Sequence, residues 1–210
     1  MKTNIKNYNK EISLLIIFNM SIYCIFSNNY EIIVLLLNTI TLTAPSLLII
    51  DLISQKYKEK MLIQRRYGEI VFEDLTKNKN EEINLNLIKK EYGKLPSSYK
   101  EQNNLWYNIY RKNESNSRIL HTHRQYLLAR DLNCTILIII IFTIIFIIYK
   151  LLLQEALLNL YLKLIFVEIT ELIIILLTAR NLQKKFVLSV LIEETYQLNL
   201  KYHHQDVSYA

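Results

Sequence analysis

The chain has 210 residues and a mass of 25.1 kDa, is 51% hydrophobic and 21% charged, and carries a formal net charge of +6. It contains only two glycines, Gly68 and Gly93, which excludes the glycine-rich phosphate cradles of P-loop and dinucleotide-binding proteins and disfavours turn-rich sheet folds. Apolar residues gather in four blocks, 12–26, 32–53, 134–153 and 156–177, with most charges between and outside them, the distribution of an integral membrane protein.

A bilayer core about 30 Å thick needs about 20 helical residues per crossing, so four crossings use about 80 residues and leave about 130. That remainder is too small for a large water-soluble enzyme domain. The first block follows Lys2, Lys6 and Lys10 and so begins like a signal peptide, but no small-residue cleavage site follows it. Tyr23 stands before Cys24, where lipoprotein processing requires a small residue. An uncleaved signal-anchor helix is expected. The second block sets Asn38, Thr41 and Pro45 at helical spacing in an apolar run, so its polar side should face protein.

From Leu52 to Lys77, apolar residues at Ile53, Tyr57, Met61, Tyr67, Ile70, Val71 and Leu75 follow a helical period. This predicts that the second membrane helix continues as a stalk, projecting about 35 Å at 1.5 Å per residue. Asn80 is positioned to cap a helix with Glu81 and Glu82 in its first turn and Ile83, Leu87 and Ile88 on its buried side, ended by Gly93 and Pro96. A further helix is expected over 104–112, with Leu105, Trp106, Tyr107, Ile109 and Tyr110. After a polar turn, another should run from about Arg118 into the third block.

The third block is the clearest span, since residues 134–149 carry neither charge nor helix breaker and exceed normal strand length. The fourth is interrupted by Lys163, Glu168 and Glu171, each of which facing lipid at mid-bilayer would cost about 2.5–3.5 kcal/mol. These residues should face a bundle interior or water. In one reading Lys163 reaches the headgroups while the acids pair within an assembly; in the other they belong to a pore or ion pathway. The tail over 181–200, with Leu182, Phe186, Val190, Leu191, Tyr196 and Leu200, reads as an amphipathic helix that packs on the cap or lies at the inner interface.

Lysine and arginine mark cytoplasmic segments. Three precede the first block, sixteen lie between the second and third, and four follow the fourth, which places both termini and the central region in the cytoplasm. The fold class expected is therefore an all-α integral membrane protein. Two transmembrane hairpins, 1–53 and 132–179, flank a helical cytosolic cap, 54–131, and an amphipathic tail follows at 180–210. The cap has modest apolar content and should need partner subunits, so a homo-oligomer in a lipid bilayer is expected.

Little in the chain suggests chemistry. His121 and His123 would lie about 200° apart around a helix, poor spacing for a shared metal. His203 and His204 lack nearby cysteines, and Cys24 and Cys134 belong near opposite membrane faces, too distant for a disulfide. No hydrolase or zincin motif and no clustered catalytic carboxylates occur. Neither enzyme activity, cofactor nor metal is expected. Trp106 and Tyr107 read first as core anchors of the cap rather than as a ligand-stacking pair. Arg111, Lys112, Arg118, Arg124 and Arg130 could meet anionic lipid or a phosphorylated ligand, although positive-inside topology explains most of them. No nucleic-acid polymer is expected as partner.

Phe72-Glu73-Asp74 after the second span, Trp106-Tyr107, and Arg118, His123-Arg124-Gln125 and Arg130 before the third span form an ordered set of short motifs. With the layout of hairpin, helical insert and hairpin, the chain resembles the SMODS-associated four-transmembrane effector family of bacterial anti-phage systems. Where that family usually carries Cys-Gln-Arg and Trp-Asp, this chain has Thr122 to Gln125 and Ala129 to Asp131. The resemblance implies an inner-membrane effector that permeabilises the membrane when an associated nucleotidyltransferase makes a cyclic-nucleotide signal. In that reading Asn38, Thr41, Glu168 and Glu171 are candidates to line a water path. Phe72, Asp74, Trp106, Tyr107, Arg118, Arg124 and Arg130 are candidates to build the cap and couple it to the membrane. The alternative is a non-conducting membrane anchor or assembly subunit.

Overall fold

The computed structural model describes residues 8–27, 48–61, 67–77, 81–152 and 158–207, and all regular structure among them is helical. Seven helices have defined bounds among these residues: α1 (Asn9–Ser27), α2 (Gln55–Met61), α3 (Tyr67–Lys77), α4 (Leu85–Tyr92), α5 (Tyr99–Asn113), α6 (Ser117–Leu152) and α7 (Leu158–Val207). Residues 48–52 are helical as well. Most of the second apolar block, with Asn38, Thr41 and Pro45, lies outside the described residues, as does Asn80.

The continuous stalk expected from Leu52 is corrected. Helix gives way to a bend at Ile53 and to coil at Ser54, whose carbonyl accepts from the backbone N–H groups of Tyr57 and Lys58 at 3.0 and 3.1 Å as α2 begins. No glycine or proline marks this break. Instead, Lys58 is held in a buried ion pair with Asp131 at 3.2 Å, a long-range contact that helical periodicity alone does not encode.

The next helix starts later than expected. Residues 81–84 are turn and coil, so Glu81 and Glu82 precede α4 rather than filling its first turn. Asn84 is its cap, with Oδ1 accepting from the backbone N–H groups of Asn86 and Leu87 at 3.1 and 3.3 Å. Ile83 and Ile88, both buried, occupy the flanking positions of a hydrophobic staple. Gly93 ends the helix at φ 82°, donating its N–H to Lys89 O at 2.9 Å, a left-handed conformation that suits glycine. α5 begins at Tyr99, before the expected 104, because Ser98 Oγ accepts from Glu101 N–H at 3.3 Å. α6 is capped by Asn116, whose Oδ1 accepts from Arg118 N–H at 2.9 Å.

α7 runs unbroken for 50 residues, so the tail is the continuation of the fourth block's helix rather than a separate element. Neither glycine nor proline occurs between Leu158 and Val207, leaving nothing to end it.

The chain divides into two compact units, one within Met1–Ile63 and Leu127–Arg180, the other within Gln64–Tyr126 and Asn181–Ala210. The tail residues of α7 thus belong with α3, α4 and α5. In the first unit α1 buries Ile12 and Ile16, one turn apart, and presents Leu14 and Phe18 outward. α6 and α7 likewise expose Ile141, Ile145, Ile148, Phe166, Ile173 and Ile174. Among the described residues one helical segment, Ser117–Tyr149, is long and apolar enough to cross a membrane, and only 28% of its most apolar stretch is buried. Lys163, Glu168 and Glu171 keep the fourth block short of that composition.

In the second unit α3 and α5 pack closely. A β-carbon at Gly68 would fall within 2.6 Å of backbone atoms of Gln102 and Asn103, so only glycine permits this approach. Gly68 N–H also donates to Asn103 Oδ1 at 3.4 Å.

Candidate functional site

The two acids of the fourth block lie inside the first unit. Glu168 is 5% exposed, and its Oε1 accepts a hydrogen bond from Thr143 Oγ1 on α6 at 2.6 Å. Glu171, one turn later, accepts at Oε2 from Asn19 Nδ2 on α1 at 2.9 Å. Glu168 Oε2 and Glu171 Oε1 are buried without a hydrogen-bond partner. One polar layer therefore joins three helices whose outward residues are apolar. Lys163 is exposed.

A second buried polar group, not anticipated from sequence, lies in the same unit. Asp131 receives Arg130 Nε at 2.9 Å, Lys58 Nζ at 3.2 Å and the Tyr8 hydroxyl at 2.6 Å. Arg130 is 1% exposed and contributes to this internal cluster. Arg118 and Arg124 belong to the other unit and are exposed. Arg118 pairs with Glu82 at 4.0 Å.

In the second unit Trp106 and His123, from two of the ordered motifs, take part in a ring cluster. Trp106 is 1% exposed; it stacks on Tyr110 with centroids 5.6 Å apart, meets Tyr67 at 4.8 Å and the edge of Phe186 at 5.6 Å, and donates its indole N–H to Val187 O at 3.2 Å. His123 stacks on Phe186 at 4.4 Å and shares a hydrogen bond with the Tyr110 hydroxyl at 3.2 Å. Burial raises the Tyr110 phenol above its ordinary pKa. Phe72 is buried; Asp74 sits on α3 with its side chain outside the described residues. Tyr107 is half exposed and carries the Arg111 guanidinium over its ring at 4.8 Å.

Sequence reading missed Glu194. It is fully buried and accepts from Lys112 Nζ at 2.6 Å, Asn113 Nδ2 at 2.6 Å and the Tyr92 hydroxyl at 2.8 Å. Burial, then this bond to a carboxylate, pushes the Tyr92 phenol upward. The signal was present in the spacing, for Glu194 continues the buried stripe of Val187, Val190 and Leu191 toward Leu198. Among the described residues no three of His, Cys, Asp and Glu gather as a metal site.

The chain matches no family model, no curated protein and no solved structure.

Proposed function

We propose that this chain is a multi-pass membrane effector of a bacterial anti-phage system. Two apolar hairpins embed it in the inner membrane with both termini cytoplasmic, and its helical cap responds to a cyclic-nucleotide signal by making the membrane permeable. The observation that carries the membrane part is the first unit's inverted pattern, with large apolar side chains outward on α1, α6 and α7 and carboxylates inward. That arrangement suits a hydrocarbon surround, where an outward acid is expensive and an outward isoleucine is not. The four apolar blocks and the order of the short motifs support the effector part, and the chain's exposed apolar surface suits a homo-oligomer in lipid.

The test is dye entry into cells that express the chain with its natural gene neighbours, with and without cyclic nucleotide. Entry that requires both the chain and the nucleotide is expected, and no entry under any nucleotide would contradict the proposal.

A specific observation favours a second reading, a non-conducting anchor. Glu168 and Glu171 bond to Thr143 and Asn19 of their own chain rather than standing bare along an open path. Glu168→Gln and Glu171→Gln separate the two readings. An anchor would lose only assembly, whereas a permeability pathway would assemble and change its ion selectivity.

A further inference from the structure

Counting donors and acceptors around Glu168 and Glu171 leaves a defined deficit. Three and four residues apart are neighbours on a helix surface, so the two carboxyls are adjacent on α7. Each has one oxygen bonded by a neutral donor, Thr143 from α6 or Asn19 from α1. The other oxygen of each is buried and unbonded. No lysine, arginine or histidine among the described residues acts on either group, and Lys163 on the same helix is exposed. A buried polar atom without a partner is costly, and two bare carboxylates side by side repel as well.

A metal ion does not resolve this, because a hard cation takes roughly six or more oxygen ligands and only two oxygens are free. One proton does. Taken from water onto Glu168 Oε2, it would turn that atom into an O–H donor, for which Glu171 Oε1, one turn along α7 and also unbonded, is the available acceptor. The same bond forms if the proton enters on Glu171. A second proton would leave a donor without an acceptor.

We propose that Glu168 and Glu171 form a one-proton site, a carboxyl–carboxylate pair that takes up and releases a single proton. This rests on the membrane-embedded reading of residues 158–177. Release of the proton places two like charges where α1, α6 and α7 meet, so loading of the site governs how tightly those helices are held.

The test is infrared spectroscopy of the full-length protein in phospholipid vesicles, with the proton as probe. Expected is a protonated-carboxyl band that shifts in D2O, disappears on alkaline titration, and is lost completely, not halved, in Glu168→Gln and in Glu171→Gln. A Gln can supply the N–H that the remaining carboxylate then accepts. The absence of the band, its halving in each variant, or its dependence on Na+ rather than pH would overturn the proposal. The wild-type titration stands even where a variant fails to fold. Vesicles that show the band but release no trapped dye when cyclic nucleotides are added would overturn the permeability reading alone and leave the proton site supported.

Discussion

Replacing Glu194 should be among the most damaging single changes in the second unit. The carboxylate is fully buried and accepts from two donors besides Lys112. Glu194→Ala removes an acceptor from the buried Asn113 amide, at about 1–3 kcal/mol, and from the half-buried Tyr92 hydroxyl, at about 0.5–1.5 kcal/mol because that group can turn to water. Lys112 is 49% exposed, so its ammonium returns to water and its share is screened to about 0.5–1 kcal/mol. Together these give a loss of about 2–5 kcal/mol. Glu194→Gln keeps one acceptor and should lose about half as much, while Lys112→Met takes the cation from the buried carboxylate but leaves its two neutral donors, and should lose less than Glu194→Ala. Urea unfolding followed by the fluorescence of Trp106, the single tryptophan, reads this unit directly. A Glu194→Ala protein as stable as wild type, or a Lys112→Met protein as damaged as Glu194→Ala, would refute the reasoning.

Gly68→Ala should destabilise the α3–α5 contact by about 1–3 kcal/mol or more through overpacking, seen as a lower urea midpoint with the same Trp106 signal. Asp131→Asn should cost about 3–5 kcal/mol by leaving Lys58 and Arg130 buried without their carboxylate, measured as a lowered melting temperature in detergent. The Glu91 carboxyl is held below its ordinary value of 4.5, first by the hydrogen bond from Lys201 and then by that from Tyr202. Its contribution is therefore complete above about 4.5 and fades as pH falls through the lower folded value. Glu91→Gln should flatten the acid side of the urea-midpoint profile below about pH 4.5 while changing its slope little near neutrality.

What the sequence disclosed follows from how local each cause is. Residues 134–149 announce a lipid-compatible helix because sixteen uncharged positions admit few alternatives. The inward Glu168 is one of the places that the cost of charge in hydrocarbon leaves open on the proposed membrane reading. The partners of Glu168 and Glu171 are another matter: Asn19 lies 152 residues from Glu171, and a single polar residue in an apolar helix does not say which neighbour it meets. The bend at Ile53 and Ser54 is hidden for the same reason, since Lys58 reaches a carboxylate 73 positions away. Other features were legible but outweighed. Asn84 competes with Asn80 as a cap, and the Ile83 and Ile88 staple decides for Asn84. Ser98 with Glu101 spells a helix start ahead of the more conspicuous Trp106. The lack of any breaker between Leu158 and Val207 argues for one helix, although the change from apolar to charged composition near Arg180 suggests two.

The membrane claim is tested most directly by where single residues of the first unit sit. With Cys24 and Cys134 replaced by alanine, a nitroxide label is placed at Ile145→Cys, Phe166→Cys or Tyr107→Cys in vesicle-reconstituted protein. Ile145 and Phe166 are exposed residues of α6 and α7 in the first unit, and Tyr107 is an exposed residue of the second. Collisions with dissolved oxygen should dominate at 145 and 166, and collisions with a water-soluble nickel complex should dominate at 107. Nickel access at both 145 and 166 would place those helices in water and contradict the membrane account.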